Sequence, residues 1–371
     1  MKHLLLFSVL FAACSLFAQQ TSKTLLVNGV SRSYLQYLPN GFNPETEHLP
    51  TVIILHGLGS TNTVMSAAGF NLIADTARII VFYPQGEVNT DWNVTSWNNG
   101  TLLSTAADDL GFMNQLMDSA ILNYHGNPAR VYVTGFSMGS IMSYHLACHL
   151  NERVAAIGCM AGTMSTPDLT DCNTTYKTPV IHLHGTADAT VPYDSNPLPS
   201  LSLVPQTISF WRNVHGCDAA SDSTRIPDIA ADGITVDRLV YNNCDPVGSL
   251  ELWKLNNADH VYLSRPANDF TEGVEVWRFM RQWTHSNPVA AGLNGLETDI
   301  FQVYPNPTSG IFSIEAKSAD RIAIHNAQGQ VVSQMDIQKG LNKADLSNFG
   351  SGIFLIRSEQ TPNHSLKLVV Q

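Results

Sequence analysis

Arg130-Val131-Tyr132-Val133-Thr134-Gly135-Phe136-Ser137-Met138-Gly139 runs from a β-branched apolar stretch into a glycine-flanked serine. Ile141-Met142-Ser143-Tyr144-His145-Leu146-Ala147-Cys148 follows with a helical pattern. This is the strand–turn–helix context in which a G-x-S-x-G pentapeptide presents a nucleophile. The turn is sharp, and its glycines let neighbouring backbone approach where a Cβ would clash. The serine Oγ then projects above the sheet edge. The first N–H groups of the helix face any negative charge that develops there. The pentapeptide alone also fits an ordinary glycine-rich turn, so the rest of the chain has to decide.

Outward from the elbow, apolar strands alternate with helical patterns. Strands are expected at Thr51 to Leu55, Ile79 to Tyr83, Val131 to Thr134, Val154 to Cys159 and Val180 to His184. Helices are expected at Asp108 to Asn123, Ser140 to His149 and Pro205 to Val214. Continuous apolar strands with crossover helices imply a mostly parallel, doubly wound sheet covered on both faces. Before it, Thr24 to Val27, Asn28-Gly29 and Ser33 to Leu38 read as a hairpin. Val274 to Trp283 is an amphipathic closing helix. The pattern then changes to short alternating strands such as Gly310 to Ile314, Ile322 to His325 (turning at Gln328-Gly329), Gly352 to Ile356 and Leu366 to Val370. These suit a small all-β sandwich. The expected division is a leader over 1–18, an α/β domain over 19–286, a linker over 287–298 and the sandwich over 299–371.

The formal net charge is −11 and only 14% of residues are charged. An acidic chain without a basic block lacks the electrostatic footprint for nucleic acid or anionic membranes. Lys2, the apolar run Leu4 to Phe11 and Leu16-Phe17-Ala18 before Gln19 read as a secretory signal. Cys14 after Ala12-Ala13 offers a lipoprotein anchor as the alternative. No later apolar run is long enough for a transmembrane segment. Of six cysteines, loss of Cys14 leaves five, which in an oxidising compartment predicts pairs plus one free thiol. Cys148 on the apolar stripe of its helix is the expected free one. Cys217 with Cys244 and Cys159 with Cys172 are the expected pairs, although spacing does not fix connectivity.

An activated serine needs a base, and the base needs an acid to hold its tautomer. In doubly wound hydrolases these follow in the order Ser, Asp or Glu, His. Asp188 stands just past the strand Val180 to His184, where sites in open α/β sheets form. Its bland alternative is a turn cap, and Asp194 is a weaker competitor. His260 lies in the loop between the alternating strand Leu250 to Leu255 and the closing helix. His145, His149 and His182 lie inside regular elements and read as surface or core groups. His56-Gly57-Leu58-Gly59 directly follows Thr51 to Leu55, so the N–H groups of Leu58 and Met138 are the candidate oxyanion hole. Asp91-Trp92-Asn93-Val94-Thr95-Ser96-Trp97-Asn98 follows a strand end. Trp97, Trp92 and His56 are therefore candidate substrate contacts, with core packing as the alternative for both tryptophans. There is no H-E-x-x-H, no CxxC pair and no P-loop, so neither a metal nor a cofactor is expected. Asp108-Asp109 suits a helix N-terminus.

Ser31-Arg32-Ser33-Tyr34, Leu55-His56-Gly57, Tyr83-Pro84-Gln85-Gly86, Trp97-Asn98, Asp108-Asp109-Leu110-Gly111-Phe112, the elbow, His184-Gly185-Thr186-Ala187-Asp188, and Gly216-Cys217 with Cys244 occur in that order. Together they resemble the secreted esterases that include polyhydroxybutyrate depolymerases and the feruloyl and acetylxylan esterases of carbohydrate esterase family 1. The resemblance covers residues of about 22 to 285. It implies an α/β-hydrolase fold and a Ser137, Asp188, His260 triad acting on polysaccharide-linked or polyester substrates. The chain departs from that family at Ala258-Asp259-His260-Val261-Tyr262, where Gly-Gly-His and Trp-Pro are common, and at Gly139-Ser140, where Gly-Gly is. Val303-Tyr304-Pro305-Asn306-Pro307-Thr308-Ser309-Gly310 and Asp345 to Ile353 resemble the type IX secretion sorting domain. That implies export to the cell surface or medium and the type IX machinery as a partner; a carbohydrate-binding sandwich is the alternative. A non-catalytic surface-binding protein of the same fold is the contrasting expectation for the whole chain.

Overall fold

The computed structural model describes residues 20–101, 103–289, 301–326, 329–359 and 365–371. The expected leader with Cys14, most of the expected linker and Gln328 lie outside these residues.

Asn28 and Gly29 both take positive φ, 49° and 81°, and Val27 pairs with Val30. This two-residue turn matches strand twist and joins β1 (Gln20–Val27) to β2 (Val30–Tyr37). The chain continues through β3 (Thr51–Leu55), α1 (Asn62–Ser66), α2 (Phe70–Ala77) and β4 (Ile80–Pro84). A short hairpin follows, β5 (Glu87–Asn89) and β6 (Val94–Ser96). Next come α3 (Asp109–Tyr124), β7 (Val131–Phe136), α4 (Met138–His149), β8 (Ala156–Met160), α5 (Asp168–Asp171), β9 (Val180–Gly185) and α6 (Val204–His215). The α/β part closes with β10 (Ser221–Arg225), β11 (Thr235–Tyr241), β12 (Leu250–Asn256) and α7 (Glu272–Met280).

Ten strands form one sheet in the order β1-β2-β4-β3-β7-β8-β9-β12-β11-β10. Its centre, β4 through β12, is parallel, and antiparallel strands flank it on both sides. All five residues of β3 are buried, with alternate side chains serving opposite faces. Ile53 and Leu55 pack with Phe112, Met142 and Trp211 of α3, α4 and α6. Val52 and Ile54 pack with Phe70 and Trp277 of α2 and α7. Strand order reverses around β3, so the crevice past the carboxyl ends of β3 and β7 is the expected ligand position.

Asp108 caps α3 by accepting from Gly111 N at 2.8 Å. Asp109 turns inward and binds Arg32 at 2.5 Å, both side chains fully buried. The short α1 and the polar edge strand β10 had no periodicity to read: only Met65 of α1 is buried.

From Phe301 onward two antiparallel sheets enclose a separate core. β13 (Phe301–Tyr304), β14 (Ile311–Ala316) and β17 (Gly340–Asp345) form one, in the order β13-β14-β17. The other has the order β16-β15-β18-β19, from β15 (Asp320–His325), β16 (Val331–Ile337), β18 (Gly352–Ser358) and β19 (Ser365–Val370). Phe301, Phe312, Ile324, Phe354 and Leu368 fill the space between them.

One expected pairing is corrected. Cys172 bonds Cys148, not Cys159, and Cys159 is the free, buried thiol; Cys217–Cys244 is as expected. Ten of twelve residues on α4 are buried, so the helix has no single apolar stripe from which to place Cys148. Cys148 meets α5, whose C-cap is Cys172. Cys159 instead lies on β8 beneath Tyr144 and Ser140, where burial pushes its thiol pKa far up.

Non-reducing peptide mapping is expected to return Cys148–Cys172 and Cys217–Cys244, with Cys159 unreactive until the protein unfolds. Sequence separations of 24 and 27 residues correspond to about 3–4 kcal/mol of denatured-state chain entropy for each bridge. A Cys159–Cys172 peptide would reject the assignment.

Candidate active site

Ser137 sits between β7 and α4 with φ 56° and ψ −121°, a conformation that non-glycine residues rarely adopt. Its N–H donates to Met160 O at 2.8 Å, and its carbonyl accepts from Ser140 and Ile141 as α4 begins. A Cβ at Gly139 would strike the carbonyls of Leu55 and His56, so only glycine lets α4 lie this close to β3. The departure at Ser140 is accommodated without opening the turn: its buried hydroxyl donates to Gly162 O at 2.7 Å.

The loops after β9 and β12 meet beside this serine. His260 Nδ1 lies 2.8 Å from Asp188 Oδ2. The other oxygen, Oδ1, accepts from the N–H groups of Thr190 and Val191 at 2.9 and 2.7 Å. Burial raises the Asp188 pKa, but hydrogen bonds from His184, His260 and Val191 N–H outweigh it and hold the carboxyl below its usual range. Asp259, the other departure, braces the two loops: its Oδ1 accepts from His260 N at 2.8 Å and Ala189 N at 3.0 Å. Phe136 packs on the His260 ring at 5.0 Å.

Beneath Asp188 runs a buried donor chain that the sequence reading passed over as a strand histidine. His184 Nε2 lies 2.8 Å from Val191 O and 3.3 Å from Asp188 Oδ2. A carbonyl only accepts, so Nε2 carries the proton. His184 Nδ1 then accepts from His182 Nε2 at 3.1 Å, and His182 Nδ1 accepts the Tyr144 hydroxyl at 2.8 Å. Burial and the neighbouring His184 drive the His182 pKa well down, keeping that ring neutral. The available signal was His-x-His, which puts both rings on one face of a strand leading to the acid.

His56 is not at the cavity wall. It is fully buried; its Nε2 accepts Gly86 N–H at 2.9 Å and its Nδ1 meets Gly57 O at 2.8 Å. Burial lowers its pKa to about 4. Fixing the Gly57 carbonyl also fixes the Leu58 N–H at the other end of that planar trans peptide. Trp97 is likewise a core residue, fully buried, with its indole N–H on His56 O at 2.8 Å and its ring 4.7 Å from the imidazole. The aromatic donor found a tertiary partner that spacing cannot reveal. Trp92 is 57% exposed and does line the cavity.

That cavity holds about 790 Å³. Ser137, His260, Gly57, Leu58 and Met138 lie on it, together with Met65, Phe136, Ile141, Leu198, Leu201 and Tyr262. Among the described residues no Asp, Glu, Lys or Arg lines it.

Residues 42–203 match the Phospholipase/Carboxylesterase family, and residues 302–371 match the Secretion system C-terminal sorting domain. The solved acetyl xylan esterase from Aspergillus awamori superposes with a TM-score of 0.51 at 15% identity, over 70% of this chain and 99% of that one. The fold is that of the α/β hydrolases. The chain is 26% identical over 271 residues to a bifunctional acetylxylan esterase/xylanase of Neocallimastix patriciarum, covering 72% of this chain and 36% of that protein. It is 25% identical over 271 residues to feruloyl esterase B of Piromyces equi, covering 68% and 45%. The chain thus spans less than half the length of these two relatives. No helix among the described residues is long and apolar enough to cross a membrane.

Trp92→Ala is expected to raise KM for bulky esters roughly 10-fold with an unchanged Tm, a loss of about 1–1.5 kcal/mol of contact. Trp97→Ala is expected to cost about 3–5 kcal/mol of stability and to impair all esters alike. Thermal melts beside kinetics on a large and a small ester separate the two roles.

His184→Leu is expected to lower kcat about 10-fold with little change in KM, because an oriented carboxylate loses a donor. The acid limb of the pH profile should move upward, since the Asp188 charge becomes less dispersed. A wild-type profile with only a lower Tm would assign His184 to packing.

Proposed function

We propose that this protein is an exported serine hydrolase that cleaves carboxylic esters through an acyl-enzyme. The observation that carries the reading is the hydrogen bond from the buried Asp188 to His260, which lines one apolar cavity together with the strained Ser137. Ser137 Oγ attacks the ester carbonyl carbon while His260 Nε2 takes its proton. The tetrahedral oxyanion receives the N–H groups of Leu58 and Met138. Collapse expels the alcohol, protonated by His260. Water, deprotonated by the same ring, then frees the acid and restores the serine. Asp188 stays ionised and holds the His260 tautomer.

The substrate in this reading is a plant-polysaccharide ester, feruloyl or acetyl. A cavity of about 790 Å³ without a charged lining suits a bulky, uncharged group, which favours feruloyl over acetyl. The same lining gives an uncharged polyester chain as the second reading. The sorting-domain match at 302–371 supports passage through the type IX machinery after a signal over 1–18.

Ser137→Ala is expected to lower kcat at least about 10⁴-fold and to abolish labelling by a fluorophosphonate. On feruloyl, acetyl and hydroxybutyryl esters, kcat/KM should be highest for feruloyl. Retained turnover in Ser137→Ala would overturn the mechanism. Preference for hydroxybutyryl oligomers would transfer the assignment to polyesters.

A further inference from the structure

The same helix that begins at the elbow carries a second constellation two turns further on. His145 and His149 stand at i and i+4 on α4, and their rings lie 4.2 Å apart. Both aim at one carboxylate oxygen: His145 Nδ1 is 3.0 Å and His149 Nε2 2.9 Å from Asp168 Oδ1. One ligand atom from each of the three lies within 4.8 Å of the others. Asp168 is the first residue of α5, and its side chain is 2% exposed. The Ser165 hydroxyl accepts the Asp168 backbone N–H at 3.2 Å.

We propose that His145, His149 and Asp168 form a binding site for a transition-metal dication of the zinc class. Two imidazole nitrogens and a carboxylate oxygen suit such ions, whereas calcium and magnesium prefer all-oxygen sets. Metal–ligand bonds of about 2.0–2.2 Å in a tetrahedron separate neighbouring ligand atoms by about 3.3–3.5 Å. The two N···O pairs, at 3.0 and 2.9 Å, therefore need to part by only a few tenths of an ångström to admit an ion, and the two ring nitrogens already lie within 4.8 Å of each other. The ring protons that now face Asp168 move to the opposite nitrogens or to solvent on binding. His149 is 29% exposed, so the site opens to water, which supplies the fourth ligand.

A second feature fixes the donors. Cys148 lies between the two histidines and is bonded to Cys172, which directly follows α5. The disulfide therefore ties the helix carrying two donors to the segment carrying the third. Ser165 Oγ accepts the Asp168 N–H and so fixes the backbone from which the buried carboxylate projects. The ordering that binding requires is largely complete before an ion arrives.

The test is calorimetric titration of chelator-treated, tag-free, oxidised full-length protein with zinc chloride, alongside thermal melts. One ion per chain is expected, with Tm rising on zinc and not on calcium. His149→Ala removes the exposed donor. It is expected to weaken binding at least about 100-fold, because loss of an outer partner alone costs 10–100-fold. It should leave the turnover of a small ester unchanged, while the metal-free Tm falls by a few degrees because the buried Asp168 carboxylate loses one of its partners. His145→Gln should weaken binding likewise, which guards against misfolding in either variant. Unchanged zinc affinity in both variants would overturn the site and place the ion elsewhere, for instance at the stacked surface pair His48 and His125. An equal response to calcium, or no binding at millimolar zinc, would overturn it too.

Discussion

The backbone of Ser137 is the constraint on which the rest of the site depends. A serine at φ 56° and ψ −121° costs about 1–3 kcal/mol and persists only when its surroundings over-determine it. Here three adjacent parallel strands do so. β7 delivers the residue, β8 accepts its N–H at Met160 O, and β3 takes the α4 backbone at Gly139. Every residue of β3 and β8 is buried, so the strain is borne by strands packed on both faces. A serine on a free loop would relax out of this conformation.

Asp188 is held differently. Asp188 sits on a loop, and loops are softer than sheets. It is fixed by saturation: backbone N–H groups occupy one oxygen, and His260 and His184 share the other. His184 is in turn fixed by His182 and Tyr144 inside the sheet and α4. The loop thereby inherits the rigidity of β9 through side-chain hydrogen bonds. Asp259 adds a shorter link between the loops that carry acid and base.

The placement of the elbow, Asp188 and His260 was legible because each follows a strand recognisable by its own apolar run, and the structure joins Asp188 to His260 and sets His260 and Ser137 at one cavity. The two-body organisation was legible because the hydrophobic period changes after the closing helix. What failed needed partners across the fold. Cys148 could not be placed because α4 is buried on nearly every side. Trp97 looked like a loop aromatic, but the loop contains the β5–β6 hairpin and closes over His56. His182 read as a surface or core group because it was weighed alone, and His184 served only to mark the end of its strand. As a pair on one strand face beside Asp188, they are a connected network whose worth exceeds that of its separate members.

Two buried histidines thus support the site from opposite ends. His56 fixes the Gly57–Leu58 peptide, and His184 fixes Asp188. An orienting histidine works only while its charge stays constant, because protonation would turn an acceptor nitrogen into a donor. His56 faces Gly86 N–H, so a second ring proton would leave two donors opposed. Burial prevents this by holding His56 near pKa 4, below the range of about pH 5–8 in which an ordinary histidine changes charge. His182, likewise driven well down by burial and the neighbouring His184, protects the His184 tautomer in the same way. Desolvation, a cost to folding when these polar rings are buried, is therefore also what keeps the Gly57–Leu58 peptide and Asp188 in one orientation across neutral pH. The apolar packing of Trp97 against His56 serves that electrostatic end as much as it serves stability.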